Sequence, residues 1–347
     1  MQRTIPMPLF AAAALAPVGF FAVGLAFGGG WALVGLFYMT VFAACLDQIS
    51  PYFIGNAPEG AEFPAADALL VVLALSHLIL FPAIVWAVAG PSDMPLWARG
   101  VLFLGAGLWF GQVANPTAHE LIHRGARSLF WLGVVVYATM LFGHHASAHR
   151  LVHHRYAASA DDPNTARSGE GYYRFLMRAW IGSFQKGYAA ETELRTRSGR
   201  ASLHPYALYF ALSGASLLCG YVLGGWTGLA VWAGLAAHST SQLMLSDYVQ
   251  HYGLTRARGA DGRLEPVGAR HSWNAPQWFS AAMMLNAPRH SDHHAHPSRP
   301  YPALRLPQRD EAPMLPWPLP MACMIALVPP LWKRLIRPHL ARWRSPL

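Results

Sequence analysis

Six apolar stretches run through the chain, at 8–28, 30–47, 67–89, 97–117, 204–223 and 226–248. Each approaches the roughly 20 residues that a helix needs to cross a bilayer core. The links after the first, third and fifth are short (28–30, 90–95 and 224–225) and carry neither Lys nor Arg. The region 118–203, in contrast, carries ten arginines and Lys186. Positive charge is retained on the cytoplasmic side of a membrane, so this region, and with six spans both termini, is expected there. The pattern predicts an all-α integral membrane protein of six transmembrane helices, one domain over residues 1–347.

Two apolar segments break the pattern. Residues 128–143 are only sixteen long, and a crossing there would put His119 and His123 on one side of the membrane and His149 to His154 on the other. They are read as interfacial or buried. Residues 315–332 contain five prolines, which break helices, and are expected at the membrane surface. Arg3 followed by an apolar run resembles a signal peptide, but no polar segment follows before residue 40, so the run is read as the first membrane helix.

Composition agrees. The chain is 54% hydrophobic and 12% charged, about half the charge of a soluble domain. The net charge of +9 comes almost wholly from arginine, since Lys186 and Lys333 are the only lysines. The arginines lie between long apolar runs and form no basic arm, so topology explains them better than nucleic acid does. Cys45, Cys219 and Cys323 lie in apolar stretches without a CxxC pair, and read as small core residues.

Histidine changes the picture more. There are 17, as many as Asp and Glu together, with seven in 119–154 and four in 290–296. His119 and His123 are four residues apart with Glu120 between them, a spacing that puts both rings on one face of a helix. This HExxH string is also the zinc-peptidase signature. His149, His153 and His154 form a second cluster, preceded by His144 and His145. His290, His293 and His294 form a third, followed by His296, and His251 and His271 lie between. These are too many nitrogens for one ion, whereas two ions with four or five ligands each would use the supply. Isolated His77, His204, His238 and His339 read as polar packing or interface residues.

The strings HELIHR (119–124), HRLVHH (149–154), ADDPNTAR (160–167), QHYGL (250–254), HSWN (271–274) and RHSDHHAHPSRPYPALR (289–305) resemble the membrane alkane hydroxylases, or alkane 1-monooxygenases. These belong to the wider membrane fatty-acid desaturase/hydroxylase superfamily, and the match runs in order from about residue 10 to residue 340. The resemblance implies two non-haem irons held by His119, His123, His149, His153, His154, His251, His290, His293 and His294, in a cap on the cytoplasmic side of six helices in a bacterial inner membrane. Glu120, Asp162, His271 and Asp292 would support the ligands, while His144, His145 and His296 would lie near them. Ala148, Val152, Gln250 and the Ala287–Pro288 pair depart from the alkane-hydroxylase pattern. Ala148 and Gln250 instead resemble the xylene monooxygenase hydroxylase subunit, which acts on aromatic methyl groups.

The implied reaction is O2-dependent hydroxylation of a terminal methyl group, n-alkane to 1-alkanol. Zinc lacks the redox chemistry for it. No flavin, haem or four-cysteine motif is present, so electrons would come from a rubredoxin or ferredoxin-type carrier with its NAD(P)H reductase. Arg124, Arg127, Arg150, Arg155, Arg167 and Arg174 suit an acidic carrier. Substrate would enter from membrane lipid, with Tyr38, Met39, Phe42, Trp109 and Phe110 as candidate lining. The rivals are a fatty-acyl desaturase or other lipid hydroxylase, a membrane metal-binding protein or transporter, and, weakly, a zinc protease.

Overall fold

Hydrophobic stretches with glycine punctuation become helices joined by tight turns. The computed structural model describes residues 4–49, 55–199 and 203–343, so Arg3 lies outside it. Helix α1 (Met7–Phe27) ends at Gly28, and both Gly28 and Gly29 have positive φ (59° and 52°), which glycine adopts without strain. The chain turns there directly into α2 (Gly29–Gln48). Helix α3 is Ala65–Ala89. Helix α4 begins as Leu96–Trp109 and runs on through a π-helical turn, Phe110–Ala114, into Asn115–Ile122. Arg99 clasps the α3–α4 turn, donating to the carbonyls of Val88 and Met94 at 3.0 and 2.9 Å.

After the short α5 (Arg127–Thr139) and a histidine-bearing segment, α6 (145–156), come α7 (Tyr172–Ser198) and α8 (Pro205–Gln250). The last is two arms. Backbone angles are non-helical at Gly224 and Gly225, and a Cβ on Gly228 would lie 2.1 Å from the Gly220 carbonyl oxygen. The chain therefore doubles back at the diglycine, between the fifth and sixth apolar stretches. Short helices α9 (Trp278–Met283), α10 (His290–Ala295), α11 (Leu319–Ala326) and α12 (Pro329–Leu340) complete the chain. Among the described residues there is no strand, only two isolated bridges.

Helices α1, α2, α3 and α8 are each long and apolar enough to cross a membrane. Their outer faces carry large exposed apolar side chains, among them Phe27, Ile79, Val222 and Trp226, each more than 70% exposed. Such a surface suits lipid. Inside, Phe81 packs on Phe110 and Trp232, Trp109 donates to the Ala14 carbonyl, and Tyr38 donates to that of Ala13. Tyr38, Trp109 and Phe110 thus bind helix to helix. Helix α5 folds back on α4, where Gly133 admits the Ala118 carbonyl and Leu121. His77, buried in α3, bonds the Thr139 hydroxyl at 2.7 Å.

Candidate metal centre

The end of α4, all of α6, the end of α8 and α10 meet at one end of the bundle. They bring together the nine histidines expected as ligands, in two groups. His119, His123, His149, His154 and His293 form one; His153, His251, His290 and His294 form the other, with the ligand atoms in each within 4.8 Å of one another. Sequence spacing describes α4 and α10 well: His119 and His123 share a group, as do His290 and His294, each pair four residues apart. It fails for α6. Residues His149–His153 form a π-helical turn, whose wider pitch aligns residue i with i+5. His149 therefore joins His154, at 2.9 Å between Nε2 atoms, and His153 faces the other group.

The nitrogens crowd in a way that hydrogen bonding cannot satisfy. His149 Nε2 is 2.7 Å from His119 Nε2 as well as 2.9 Å from His154 Nε2, and His154 Nε2 is 3.1 Å from His293 Nε2. In the other group His290 Nε2 is 2.9 Å from His251 Nε2 and 3.1 Å from His294 Nε2. A neutral ring nitrogen offers one proton or one lone pair, so it cannot pair with two others. A cation at the centre accepts every lone pair at once. With metal–nitrogen bonds of about 2.1 Å, ligands at right angles stand about 3.0 Å apart, the spacing found here. Burial, then the neighbouring imidazoles, push His149, His154, His293 and His294 well below the usual histidine pKa. They are neutral, the form that ligates.

Around the histidines, the recurrent strings form clasps. Asp162 is buried, and its Oδ2 accepts from His153 Nδ1 at 2.8 Å and from the Thr165 hydroxyl at 2.7 Å. Burial alone would lower the His153 pKa, but the Asp162 carboxylate, together with Asp247, outweighs it and the pKa is raised. His251 Nδ1 lies 3.5 Å from the hydroxyl of Ser272, next to His271, whereas the His271 ring turns to Glu265 at 3.2 Å. Glu120 accepts from Arg124 and from the Tyr301 N–H, both at 3.2 Å, in place of a histidine. Asp292 holds Arg299, the Arg305 N–H and the exposed His296. His145 packs on His149, and His144 packs between Phe142 and Phe184. Two supports lie within the quoted strings HSWN and RHSDHH but were not expected in that role. Asn274 Oδ1 accepts the N–H and hydroxyl of Ser291 at the start of α10, and buried Arg289 donates to Asn56 and the Leu304 carbonyl.

An apolar cavity of about 800 Å³ opens onto both groups, with His119, His149, His290 and His293 in its wall. Of the expected lining residues Met39 is there, while Tyr38, Phe42, Trp109 and Phe110 are packing residues. Val41, Tyr173 and Met324 also line it and are more than half exposed, so the cavity communicates with the apolar outer surface.

A sequence profile of the fatty acid desaturase family matches residues 95–323. The chain is 30% identical over 319 residues to alkane 1-monooxygenase 1 of Pseudomonas aeruginosa, covering 89% of this chain and 83% of that one. It is 30% identical over 343 residues to the alkane 1-monooxygenase of Ectopseudomonas oleovorans, covering 90% and 80%. The xylene/toluene monooxygenase hydroxylase component of Pseudomonas putida is similar at 27% over 339 residues, covering 92% and 86%. Apolar helices, paired histidine groups and relatives along most of its length agree: the chain belongs to the fatty acid desaturase family and is an alkane 1-monooxygenase-like membrane oxidoreductase.

Proposed function

We propose that this protein hydroxylates the terminal methyl group of an n-alkane, using O2 and two electrons: RCH3 + O2 + 2 e− + 2 H+ gives RCH2OH + H2O. The observation that carries this reading is the pair of all-histidine groups in the wall of an apolar cavity that reaches the lipid-facing surface. An unactivated C–H bond offers no acid–base handle, and two irons bound at these groups would supply the O2 activation it needs. The five-histidine group would hold one and the four-histidine group the other. The chain's own residues orient and exclude. Asp162 holds His153 by its Nδ1 and so fixes that ring's tautomer in the four-histidine group. Met39, Leu108, Leu243 and Leu285 give the cavity an apolar wall that selects a hydrophobic substrate and sheds water.

Six spans follow if α4 and each arm of α8 cross separately, placing the histidines and both termini on the cytoplasmic side of a bacterial inner membrane, with the whole chain acting as one unit. Arg127, Arg150, Arg155, Arg167 and Arg174 are exposed and suit a rubredoxin or ferredoxin-type carrier fed by an NAD(P)H reductase. Arg124 is already engaged by Asp67 and Glu120. The xylene/toluene relative supports a second substrate class, methyl-arenes. A host assay with added reductase, offering octane, hexadecane and xylene, tests the reading. Alcohol products that vanish in His119→Ala and His293→Ala support it; a desaturated product, or full activity in both variants, overturns it.

A further inference from the structure

The cavity is not apolar throughout. Gln112 and Asn115 on α4 and His238 and Gln242 on α8 line it within helices read as spanning. Polar groups at that depth are costly unless paired, and they commonly mark a site of function. Glycines make room for two of them: a Cβ on Gly107 would lie 2.4 Å from the His238 ring, and one on Gly111 would lie 2.3 Å from the Gln242 carboxamide.

The hydrogen bonds fix which way the amides point. Gln242 Nε2 donates to the carbonyls of Gly107 and His238 at 2.8 and 3.2 Å, so its Oε1 faces Gln112 and accepts from Gln112 Nε2 at 3.4 Å. Asn115 Nδ2 likewise donates to the carbonyls of Ser239 and Gly111 at 2.8 and 3.3 Å. Flipping either Gln242 or Asn115 would set oxygen against oxygen. Two acceptors remain, Gln112 Oε1 and Asn115 Oδ1, both buried and without a hydrogen-bond partner among the described residues. A third atom, His238 Nε2, is in the same condition. An acceptor fixed in this way calls for a donor, an O–H or N–H group.

We infer that this shelf is a polar subsite for a substrate carrying a hydroxyl or N–H group at the end opposite the reacting methyl. The inference rests on the hydroxylase reading and narrows its substrate class. Gln112 lies seven residues, or about two helical turns, before His119, which is about 10 Å along the helix axis. A medium-length chain whose methyl lies at the histidines then brings its donor to Gln112. With a primary alkanol as substrate the product is an α,ω-diol.

The test uses the full chain in lipid nanodiscs and three probes with equal numbers of heavy atoms: n-nonane, 1-octanol and 1-methoxyheptane. Octanol donates a hydrogen bond, the ether can only accept, and the alkane does neither. Equilibrium binding is measured first, by displacement of radiolabelled 1-octanol, and turnover with added reductase second. Octanol is expected to bind about tenfold more tightly than the ether, the scale of one hydrogen bond to a buried acceptor. In Gln112→Met its advantage over nonane should fall about tenfold. Equal binding of octanol and ether by the wild-type protein overturns the subsite whatever the variant does, and leaves the four polar residues as interhelical ties. Nonane hydroxylation without an octanol preference defeats the subsite alone. Gln112-dependent octanol binding without any hydroxylated product supports the subsite and defeats the hydroxylase reading.

Discussion

Replacing Asp162 should strip metal from one group and spare the other. Its carboxylate makes three bonds: Oδ2 accepts from His153 Nδ1 and the Thr165 hydroxyl, and Oδ1 accepts from the Asn164 N–H at 3.0 Å. An asparagine has the same shape but must turn its NH2 toward one of these donors, so Asp162→Asn loses the charge and at least one bond. Asp162→Ala loses all three and frees the His153 ring. Partners of this kind are worth about 10–100-fold in metal affinity, or about 1.4–2.7 kcal/mol. The asparagine variant is expected near the lower limit and the alanine variant near the upper. His153 belongs to the four-histidine group, so on the proposed two-iron reading, iron per chain, measured by mass spectrometry after chelator competition, should fall from two toward one. Asp292→Asn is the control, because Asp292 binds arginines and His296 and none of the nine histidines. It should lower Tm without changing the iron count of the folded fraction. If Asp162→Ala keeps the full metal content at wild-type affinity, the carboxylate does not tune the centre.

Gly228→Ala should destabilise by about 1–3 kcal/mol, the usual range for overpacking, because its Cβ would strike the Gly220 carbonyl. Gly214→Ala, with nothing within 4 Å, should be neutral or gain up to about 1 kcal/mol of helix propensity; equal Tm values for the two would contradict the doubled-back arms. In a background without Cys45, Cys219 and Cys323, an impermeant maleimide should label Ser92→Cys and Asp261→Cys from opposite faces of sealed vesicles. Labelling from the same face would remove the six-span topology. If metal holds the gathered imidazoles together, chelation should lower Tm; a Tm unmoved by complete metal removal would mean that the cap is built without it.

The hydrophobic pattern made the helices legible, and the first, third and fifth apolar stretches end at glycines where the chain turns, at Gly28, Gly90 and Gly224–Gly225. Eight of the nine gathered histidines were legible in a similar way, since their spacing marks three short runs; His251 stands alone in the chain, and only its QHYGL string pointed to it. The supporting contacts were not. Arg289 and Asn274 reach backbone atoms 15 and 17 residues away, and Arg99 reaches carbonyls up to 11 residues back, and no local pattern announces such a reach. Glu120 and Asp292 looked like partners for the grouped histidines by adjacency, yet Glu120 points to Arg124, and Asp292 to Arg299 and the exposed His296. The π-helical turns were equally hidden, because a turn of the wider pitch differs from an α turn by one residue and leaves the apolar pattern intact.

That one residue decides how the centre is assembled. His153 and His154 are neighbours in sequence, yet they serve different groups, and so do His293 and His294. Consecutive helical residues point about 100° apart, so each pair straddles the two groups, with ring centroids 6.1 and 5.9 Å apart. A single peptide unit in α6 and another in α10 therefore set the spacing between the groups from opposite sides. Neither group is complete until both helices have docked: the first takes His149 and His154 from α6 and His293 from α10, and the second takes His153 from α6 and His290 and His294 from α10. A shift of either helix along its axis moves ligands of both groups together. The two sites are for this reason one mechanical unit, and the Asp162 clasp on α6, which acts directly on a single ring, is the place where they can be perturbed separately.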